Sequence, residues 1–237
     1  MPFNRDYFLI HEARYTRLLK EIEALRRTQG QNAQLLRILD VGCYPYHLGA
    51  ALEKLGHEVW GISSTHEPMK HDRVAILNIE TDPFPYKDGT FDLVLCSEVI
   101  EHLPQSPIPA IREMYRVTKT GGHVLITTPN IVRSINLGKM LFGRSPSYPI
   151  SAFLENEGKG SPLYHRHNRE FTLSELTTIV TEAGWTVTKA THFISYHPFR
   201  RRNRHDNPLL WIGKFANFLA MLAIPHLRDT LLVIGEK

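Results

Sequence analysis

The sequence predicts an α/β protein with a doubly wound, mostly parallel, Rossmann-like sheet, helices on both faces and an N-terminal helix. Short apolar runs alternate with helical stretches from residue 37 onward. Because parallel neighbouring strands need long crossover connections, this alternation favours a parallel sheet. The 237 residues are 42% hydrophobic and 22% charged, which excludes a mostly disordered chain and provides for a sizeable core. We therefore expect residues 1–237 to form a single domain.

The individual elements follow from the spacing of the apolar residues. An amphipathic helix is predicted from Asp6 to about Thr28, and we expect residues 1–30 to cover the functional site. A later helix begins at Thr172, where Glu175 three residues on completes a capping box. Two further helices are predicted at 48–55 and 107–117. Strands are predicted at 37–42, 58–62, 74–79, 91–96, 123–128, 185–196 and 230–235.

Two insertions interrupt this alternation. Residues 131–170 contain Gly, Ser, Pro and Tyr and are predicted to form a lid or substrate loop. Residues 197–227 combine an arginine cluster with an apolar stretch at 209–227, which approaches the length of a membrane span. A full crossing is excluded, because the chain must return to the sheet for its last strand. An interfacial helix beside the arginines and a buried helix over the substrate site both remain open, and we slightly favour the second. The cluster consists of Arg200, Arg201, Arg202 and Arg204.

The charge balance and the two cysteines limit which kinds of protein this chain can be. The chain carries 28 Lys+Arg and 24 Asp+Glu, a formal charge of +4, which is too small to indicate a nucleic-acid partner. Cys43 and Cys96 lie in apolar stretches and form neither a disulfide framework nor a zinc quartet. Free thiols and the absence of a signal-like apolar run at the N-terminus predict a cytoplasmic protein.

The segment Glu98-Val99-Ile100-Glu101-His102 places two carboxylates and an imidazole at the end of a predicted strand, where ligands of parallel sheets bind. If this segment turns helically, Glu98, Glu101 and His102 share one face. Two carboxylates and an imidazole can hold a divalent metal, and His102 with Glu101 can also act as a general base. His165 and His167 offer further imidazoles, although both could equally be exposed loop residues.

Three motifs resemble those of class I S-adenosylmethionine-dependent methyltransferases. They are ArgIleLeuAspValGlyCys at 37–43, the segment 82–103 through the fourth strand, and GlyGlyHisValLeuIleThrThrProAsn at 121–130. The resemblance implies S-adenosylmethionine as cofactor, with Asp40 near its ammonium group and Gly42 allowing close backbone approach. It implies adenine near Asn78 and Ile79. The other cofactor-binding positions it implies are Cys43, Tyr44, Ser63, Ser97 and Glu98.

Two positions depart from the family pattern. The family's Gly-x-Gly-x-Gly becomes Gly42-Cys43-Tyr44-Pro45-Tyr46, and the usual acidic residue that contacts the ribose becomes Ser63. Glu67 is an alternative ribose contact. A non-catalytic, methyltransferase-like binding protein therefore stays open as an alternative.

The Glu-x-x-Glu-His segment and distant histidines are similar to the metal sites of ubiquinone-biosynthesis O-methyltransferases and of small-RNA 3′-end 2′-O-methyltransferases. The resemblance implies a divalent metal, Mg²⁺ or similar, whose ligands come from Glu98, Glu101, His102, His165 and His167. The alternative is that Glu-His only shapes the pocket or caps the next helix.

We accordingly predict methylation of a hydroxyl on a small, sugar-linked or lipid-linked acceptor. An RNA 2′-O-methyltransferase is the alternative enzyme, held lower because no separate RNA-binding module is recognisable. Peripheral membrane contact stays open, and the sequence does not predict the oligomeric state. For the N-terminal helix, we expect Tyr7 and Arg14 to serve packing or to lie on the solvated surface, whereas Tyr15 is as compatible with the site as with the core.

Overall fold

The computed structural model describes residues 5–28, 35–64, 69, 71–147, 166–195 and 208–237. Within these residues a seven-stranded sheet has the order β3-β2-β1-β4-β5-β7-β6. Strands β1 to β5 run parallel, whereas β7 pairs antiparallel with both β5 and β6. This arrangement confirms the doubly wound, mostly parallel sheet. The strands are β1 (Arg37–Val41), β2 (Glu58–Ser63), β3 (Val74–Ile76), β4 (Phe91–Ser97), β5 (Thr118–Pro129), β6 (Thr186–Phe193) and β7 (Thr230–Glu236).

Helices flank the sheet on both sides, and short 3-10 turns lie at Ile100–His102 and Pro225–Leu227. The α-helices are α1 (Arg5–Thr28), α2 (His47–Lys54), α3 (Ile108–Val117), α4 (Ser134–Leu141), α5 (Leu173–Glu182) and α6 (Pro208–Ala223). Within the described residues, no helix combines the length and apolarity that a membrane crossing requires.

Alternation of side chains along each strand divides the core into two layers. Ile38 packs with α1 and α2 on one face, whereas Leu39, the next residue, packs with α3 and α5 on the other. Leu95 and Cys96 in β4 are divided in the same way. A strand buried on both faces needs a continuous apolar run, and such runs in the sequence are what predict the central strands.

The capping box predicted at α5 is present. The Thr172 hydroxyl accepts the Glu175 N–H at 3.2 Å, and the Glu175 carboxylate accepts the Thr172 N–H at 2.8 Å. Two N–H groups that the first turn leaves without helical partners are thereby satisfied.

Three predictions about elements need correction. The run 74–79 is a strand only at Val74–Ile76, and the fifth strand is longer than predicted, at Thr118–Pro129. Residues after Ile76 leave the sheet because Asn78 begins a turn, in which its carbonyl accepts the N–H groups of Thr81 and Asp82. The 131–170 insertion is also not loop throughout, since it contains α4. Its residues 148–165, including His165, lie outside the described residues, as do Glu67 and the arginine cluster.

Both insertions open onto one edge of the sheet. Helix α4 follows the carboxyl end of β5, at Pro129. Pro129 pairs with Thr230, where β7 begins, and Thr230 pairs with Phe193, where β6 ends. Since β1 and β4 also end at this edge, residues 130–170 and 194–229 leave and re-enter the sheet beside the predicted ligand site.

Candidate active site

A cleft lies beyond the ends of β1 and β4. It holds about 420 Å³ of empty space and is partly open to solvent. Six of the predicted cofactor-binding residues line it. They are Asp40, Gly42, Cys43, Tyr44, Ser97 and Glu98, joined by Arg14, Tyr15, Pro45 and Leu48.

Gly42 shapes the floor of this cleft. Its φ of +79° lies in the left-handed region, and a Cβ at this position would fall 2.3 Å from Val99 Cγ2. The N–H groups of Gly42 and Cys43 both donate to the Ile62 carbonyl, at 2.8 and 3.1 Å. The one glycine kept from the family motif is therefore required both by the backbone turn and by packing against Val99.

The bulky residue Tyr46 packs on α2. Its ring lies over Gly49, its hydroxyl donates to Glu53 at 3.1 Å, and its ring centroid is 4.7 Å from that of His71. Tyr46 is absent from the residues that line the cleft, so its size does not fill the space where a ligand would bind. Only Tyr44 of the two tyrosines borders that space.

Asp40 is the buried carboxylate at the end of β1, with 4% of its surface exposed. Burial raises its pKa to about 7. A cation placed beside it would restore the charged form, because an opposite charge within a few ångströms lowers the pKa of a carboxyl group. Asp40 is therefore suited to receive the ammonium group of an amino-acid moiety.

Partly buried Glu98 and buried Arg14 form an ion pair on the cleft wall. Glu98 has a left-handed φ of 57°, its N–H donates to the Thr127 carbonyl at 2.9 Å, and its Oε2 lies 3.3 Å from Arg14 Nη1. Burial raises the pKa of Glu98, and the Arg14 charge opposes that rise. A non-glycine residue held in this conformation costs about 1–3 kcal/mol and is typical of functional sites.

Arg14 corrects the expectation of plain packing or a solvated surface. It is buried and lines the cleft, as does Tyr15 beside it. Its spacing of four and eight residues from Leu18 and Ile22, both buried, places it on the apolar face of α1. A charged residue on an otherwise buried face was the signal in the sequence that could have identified it.

The other predicted cofactor positions lie beside the cleft rather than in its lining. Ser63 is fully buried at the end of β2. The Asn78 side-chain oxygen accepts the Glu80 N–H at 3.0 Å, and Ile79 packs against the core. In the cleft itself, the Ser97 hydroxyl is 2.9 Å from that of Thr127.

A second cluster follows directly along the chain from Glu98. Ligand atoms of Glu101, His102 and His167 all lie within 4.8 Å of one another. Glu101 is fully buried; its Oε2 accepts the Thr128 hydroxyl at 2.9 Å, and its Oε1 lies 3.7 Å from His102 Nε2. Among the described residues, that Oε1 has no hydrogen-bond partner. Burial raises the pKa of Glu101 well above its ordinary value, and the charge of Glu98 raises it further.

The cluster depends on contacts between two distant segments. The N–H of Asn168 donates to the Glu101 carbonyl at 2.7 Å, and the Asn168 amide donates to the His102 carbonyl at 2.7 Å. His102 Nδ1 lies 3.1 Å from the Arg166 carbonyl oxygen. A carbonyl only accepts, so Nδ1 carries the proton, and in the neutral ring Nε2 is left as an acceptor facing Glu101.

Glu170 orients the second histidine. His167 Nδ1 is 2.8 Å from Glu170 Oε1, and Arg133 donates to both oxygens of Glu170 at 2.8 Å. Although burial alone would raise the pKa of Glu170, His167 and Arg133 together lower it. A carboxylate that holds the second nitrogen of a histidine is typical of metal-ligating and proton-transferring histidines.

The structure thus divides the predicted metal ligands. Glu98, whose side chain pairs with Arg14, is outside the group of three, because the chain turns through a left-handed residue before the 3-10 turn instead of continuing one helical face. Glu101, His102 and His167 come together.

A family profile described as "Methyltransferase domain" matches residues 9–190. The chain belongs to this methyltransferase family. It is a class I S-adenosylmethionine-dependent methyltransferase, and S-adenosylmethionine is its cofactor.

Individual relatives agree with this assignment. The chain is 27% identical over 183 residues to a ubiquinone biosynthesis O-methyltransferase of Acinetobacter baumannii, covering 70% of each protein. An S-adenosylmethionine-dependent methyltransferase from Archaeoglobus fulgidus has the same fold, with a TM-score of 0.58 and 15% identity over 99% of this chain and 100% of that one. A Burkholderia thailandensis 1,6-didemethyltoxoflavin-N1-methyltransferase, solved with S-adenosylhomocysteine, gives a TM-score of 0.55 and 15% identity over 98% of this chain and 81% of that one.

The cleft residues of this methyltransferase fit the cofactor. Asp40 lines the cleft, where an ammonium group would restore its charge, and Arg14, whose guanidinium pairs with Glu98, lines the same cleft. Gly42 keeps the turn at the cleft in its left-handed conformation and packed against Val99, which a residue with a Cβ could not do.

Proposed function

We propose that this methyltransferase transfers the methyl group to a hydroxyl oxygen of a small, sugar-linked or lipid-linked acceptor. The observation that carries the proposal is the cluster of Glu101, His102 and His167, which adjoins the cofactor cleft through Glu98. The name of the Acinetobacter relatives supports an oxygen acceptor. A hydroxyl has a pKa far above 7, so its methylation needs a group that takes up its proton. The imidazoles of this cluster can take up that proton.

Each residue has a separate part in the proposed reaction. S-adenosylmethionine supplies a methyl group on a positively charged sulfur, and the transfer is an in-line displacement that depends on alignment and on exclusion of water. Asp40 and Arg14 hold the two ends of the amino-acid part, while α1 closes the cleft above it. His102 receives the hydroxyl proton at Nε2, since its Nδ1 is committed to the Arg166 carbonyl.

The cluster also fits a divalent cation. Glu101, His102 and His167 would hold it, with the buried Oε1 of Glu101, which has no hydrogen-bond partner among the described residues, as one ligand atom. In that case His102 Nε2 would be a ligand and not the proton acceptor, so the cation and the His102 base are alternatives for the same step. Such a cation would favour the deprotonated acceptor hydroxyl. One carboxylate and two imidazoles suit Mn²⁺, Fe²⁺ or Zn²⁺ better than Mg²⁺, which prefers oxygen ligands.

Methyl transfer to matched probe acceptors tests the proposal. Catechol offers two vicinal hydroxyls, and 1,2-diaminobenzene offers amines in the same geometry. We expect S-adenosylhomocysteine and a methyl ether to form with catechol. Product from the diamine alone would refute an oxygen acceptor. Activity lost on treatment with EDTA and restored by Mn²⁺ or Zn²⁺ supports the metal, whereas indifference to EDTA leaves His102 as the base.

His102→Asn is the matched variant, because the asparagine amide can still donate to the Arg166 carbonyl while Nε2 is removed. We expect kcat to fall by about 10²–10⁴-fold, the usual contribution of a general base. The affinity for S-adenosylhomocysteine should stay the same, since His102 does not line the cleft. His123→Asn changes a histidine of β5 that pairs with Glu236, at the end of the β5–β7 pairing opposite Pro129, and serves as the control. Full activity of His102→Asn would refute the proposed role.

A further inference from the structure

Helices α4 and α6 form an exposed apolar surface at the edge of the sheet that carries the site. Of the thirteen large hydrophobic side chains exposed among the described residues, nine lie at 135–142 and 212–224. Leu141 and Phe142, at the end of α4, are 85% and 84% exposed. In α6 the exposed residues Ile212, Phe215, Leu219 and Leu222 recur at intervals of three and four, which places them in one stripe. We call these two parts together the α4–α6 surface.

The two helices contact each other, so their exposed apolar residues lie on adjoining elements. The Ser134 hydroxyl at the start of α4 donates to the Asn217 side-chain oxygen in α6 at 2.6 Å. Monomeric proteins rarely expose contiguous apolar patches of this kind unless the patch binds something.

The charges on the two helices of this surface have one sign. Residues 131–147 and 208–224 contain no Asp or Glu, whereas Lys139 and Arg144, both exposed, flank the Leu141–Phe142 tip. An apolar surface whose two helices carry only cations complements an anionic lipid surface. A symmetric contact with a second copy would instead bring these cations towards each other.

The surface is also linked to the candidate active site. Arg133 and Asn136, at the start of α4, donate to Glu170, which in turn binds His167 of the cluster. A membrane in contact with α4 would therefore lie on the side of the molecule that carries this cluster.

We propose that the α4–α6 surface docks this methyltransferase peripherally onto an anionic lipid membrane, with Leu141, Phe142 and the α6 stripe entering the interface. The proposal does not depend on which atom is methylated, because membrane binding can be measured without an acceptor.

Flotation of the full chain with lipid vesicles tests this proposal. We expect the protein to float with vesicles of phosphatidylcholine containing phosphatidylglycerol, to float much less with phosphatidylcholine alone, and to be released by high salt. No flotation with the anionic vesicles would overturn the proposal.

Two double variants separate the apolar and the charged contributions. Leu141→Asp/Phe142→Asp should weaken vesicle binding at least about tenfold, since an acidic tip cannot enter the interface. Lys139→Glu/Arg144→Glu should weaken it by about 25-fold or more, at roughly fivefold for each cation removed. Both variants should bind S-adenosylhomocysteine like the wild type, because none of the four residues lines the cleft.

Matched controls change exposed residues elsewhere. Leu55→Asp and Lys54→Glu/Lys87→Glu alter side chains outside the α4–α6 surface and should leave flotation unchanged. Equal losses in these controls would refute a specific surface. A concentration-dependent dimer in sedimentation velocity that Leu141→Asp/Phe142→Asp abolishes, without any vesicle binding, would assign the surface to a second copy of the chain and overturn the proposal.

Discussion

Asp40→Asn should stabilise the cofactor-free methyltransferase and at the same time weaken cofactor binding. Asp40 is buried, and its pKa of about 7 in the folded protein exceeds its ordinary value of 3.8. Between these two pH values the folded protein keeps the proton and the unfolded chain has lost it. The folded state therefore binds more protons in this window, so its stability falls as the pH rises from 3.8 to 7 and changes no further above 7.

The size of the effect follows from the width of that window. At about 1.4 kcal/mol for each pH unit, the raised pKa of Asp40 lowers the free energy of unfolding by up to roughly 4 kcal/mol at pH 8 and by about 1.5 kcal/mol at pH 5. Asparagine carries no charge and avoids this cost. For a chain of this size we expect the Tm of Asp40→Asn to exceed that of the wild type by about 2–4 °C for each kcal/mol, with the larger difference at pH 8.

Cofactor binding should respond in the opposite direction. An ammonium group beside Asp40 requires the ionised form, so the affinity of the wild type for S-adenosylhomocysteine should fall about tenfold for each pH unit below 7. Asp40→Asn should bind at least about tenfold more weakly at pH 8, because the charge-assisted contact is lost.

Scanning calorimetry at pH 5 and pH 8, with titration calorimetry against S-adenosylhomocysteine, measures both effects. Asn78→Ala, beside the cleft, is a control whose Tm difference should not vary with pH in this way. A variant Asp40→Asn that is less stable than the wild type at pH 8, or that binds as tightly, would refute the reasoning.

Three further substitutions test the geometry of the site and of the fold. Gly42→Ala should destabilise the protein by about 1–3 kcal/mol and weaken S-adenosylhomocysteine binding, because φ is positive and the new Cβ would lie 2.3 Å from Val99. In urea unfolding, the double variant with Val99→Ala should recover only part of the lost stability, and full recovery would argue against the φ contribution. Glu101→Gln should leave the Tm nearly unchanged, because burial strongly raises the pKa of the Glu101 carboxyl group and glutamine can still accept the Thr128 hydroxyl. Methyl transfer should nevertheless be lost, and retained methyl transfer would exclude Glu101 from the reaction. Thr172→Ala should cost about 1 kcal/mol of unfolding free energy with cofactor affinity intact, and an unchanged urea midpoint would mean that the capping box contributes nothing.

The parts of the site that were predictable are those encoded within one short segment. Asp40 is the penultimate residue of β1 and Gly42 follows that strand, while Glu101 and His102 lie in the turn after β4, so the rule that ligands bind beyond the carboxyl ends of parallel strands was enough to place them. The contribution of Arg14 was not predictable in this way. It meets Glu98 only because α1 packs on one face of the sheet, a contact between residues 84 positions apart.

The amino-acid sequence by itself determined the strands, their burial on both faces, the capping box of α5 and the family, because apolar periodicity and short motifs are local properties of the chain. Tertiary structure alone decided that His167 joins His102 while Glu98 turns towards Arg14, that β7 runs antiparallel, and that α4 and α6 share one exposed apolar surface. These outcomes depend on contacts between segments far apart in the chain, and no local pattern specifies which pairs of side chains will meet once both faces of the sheet are covered.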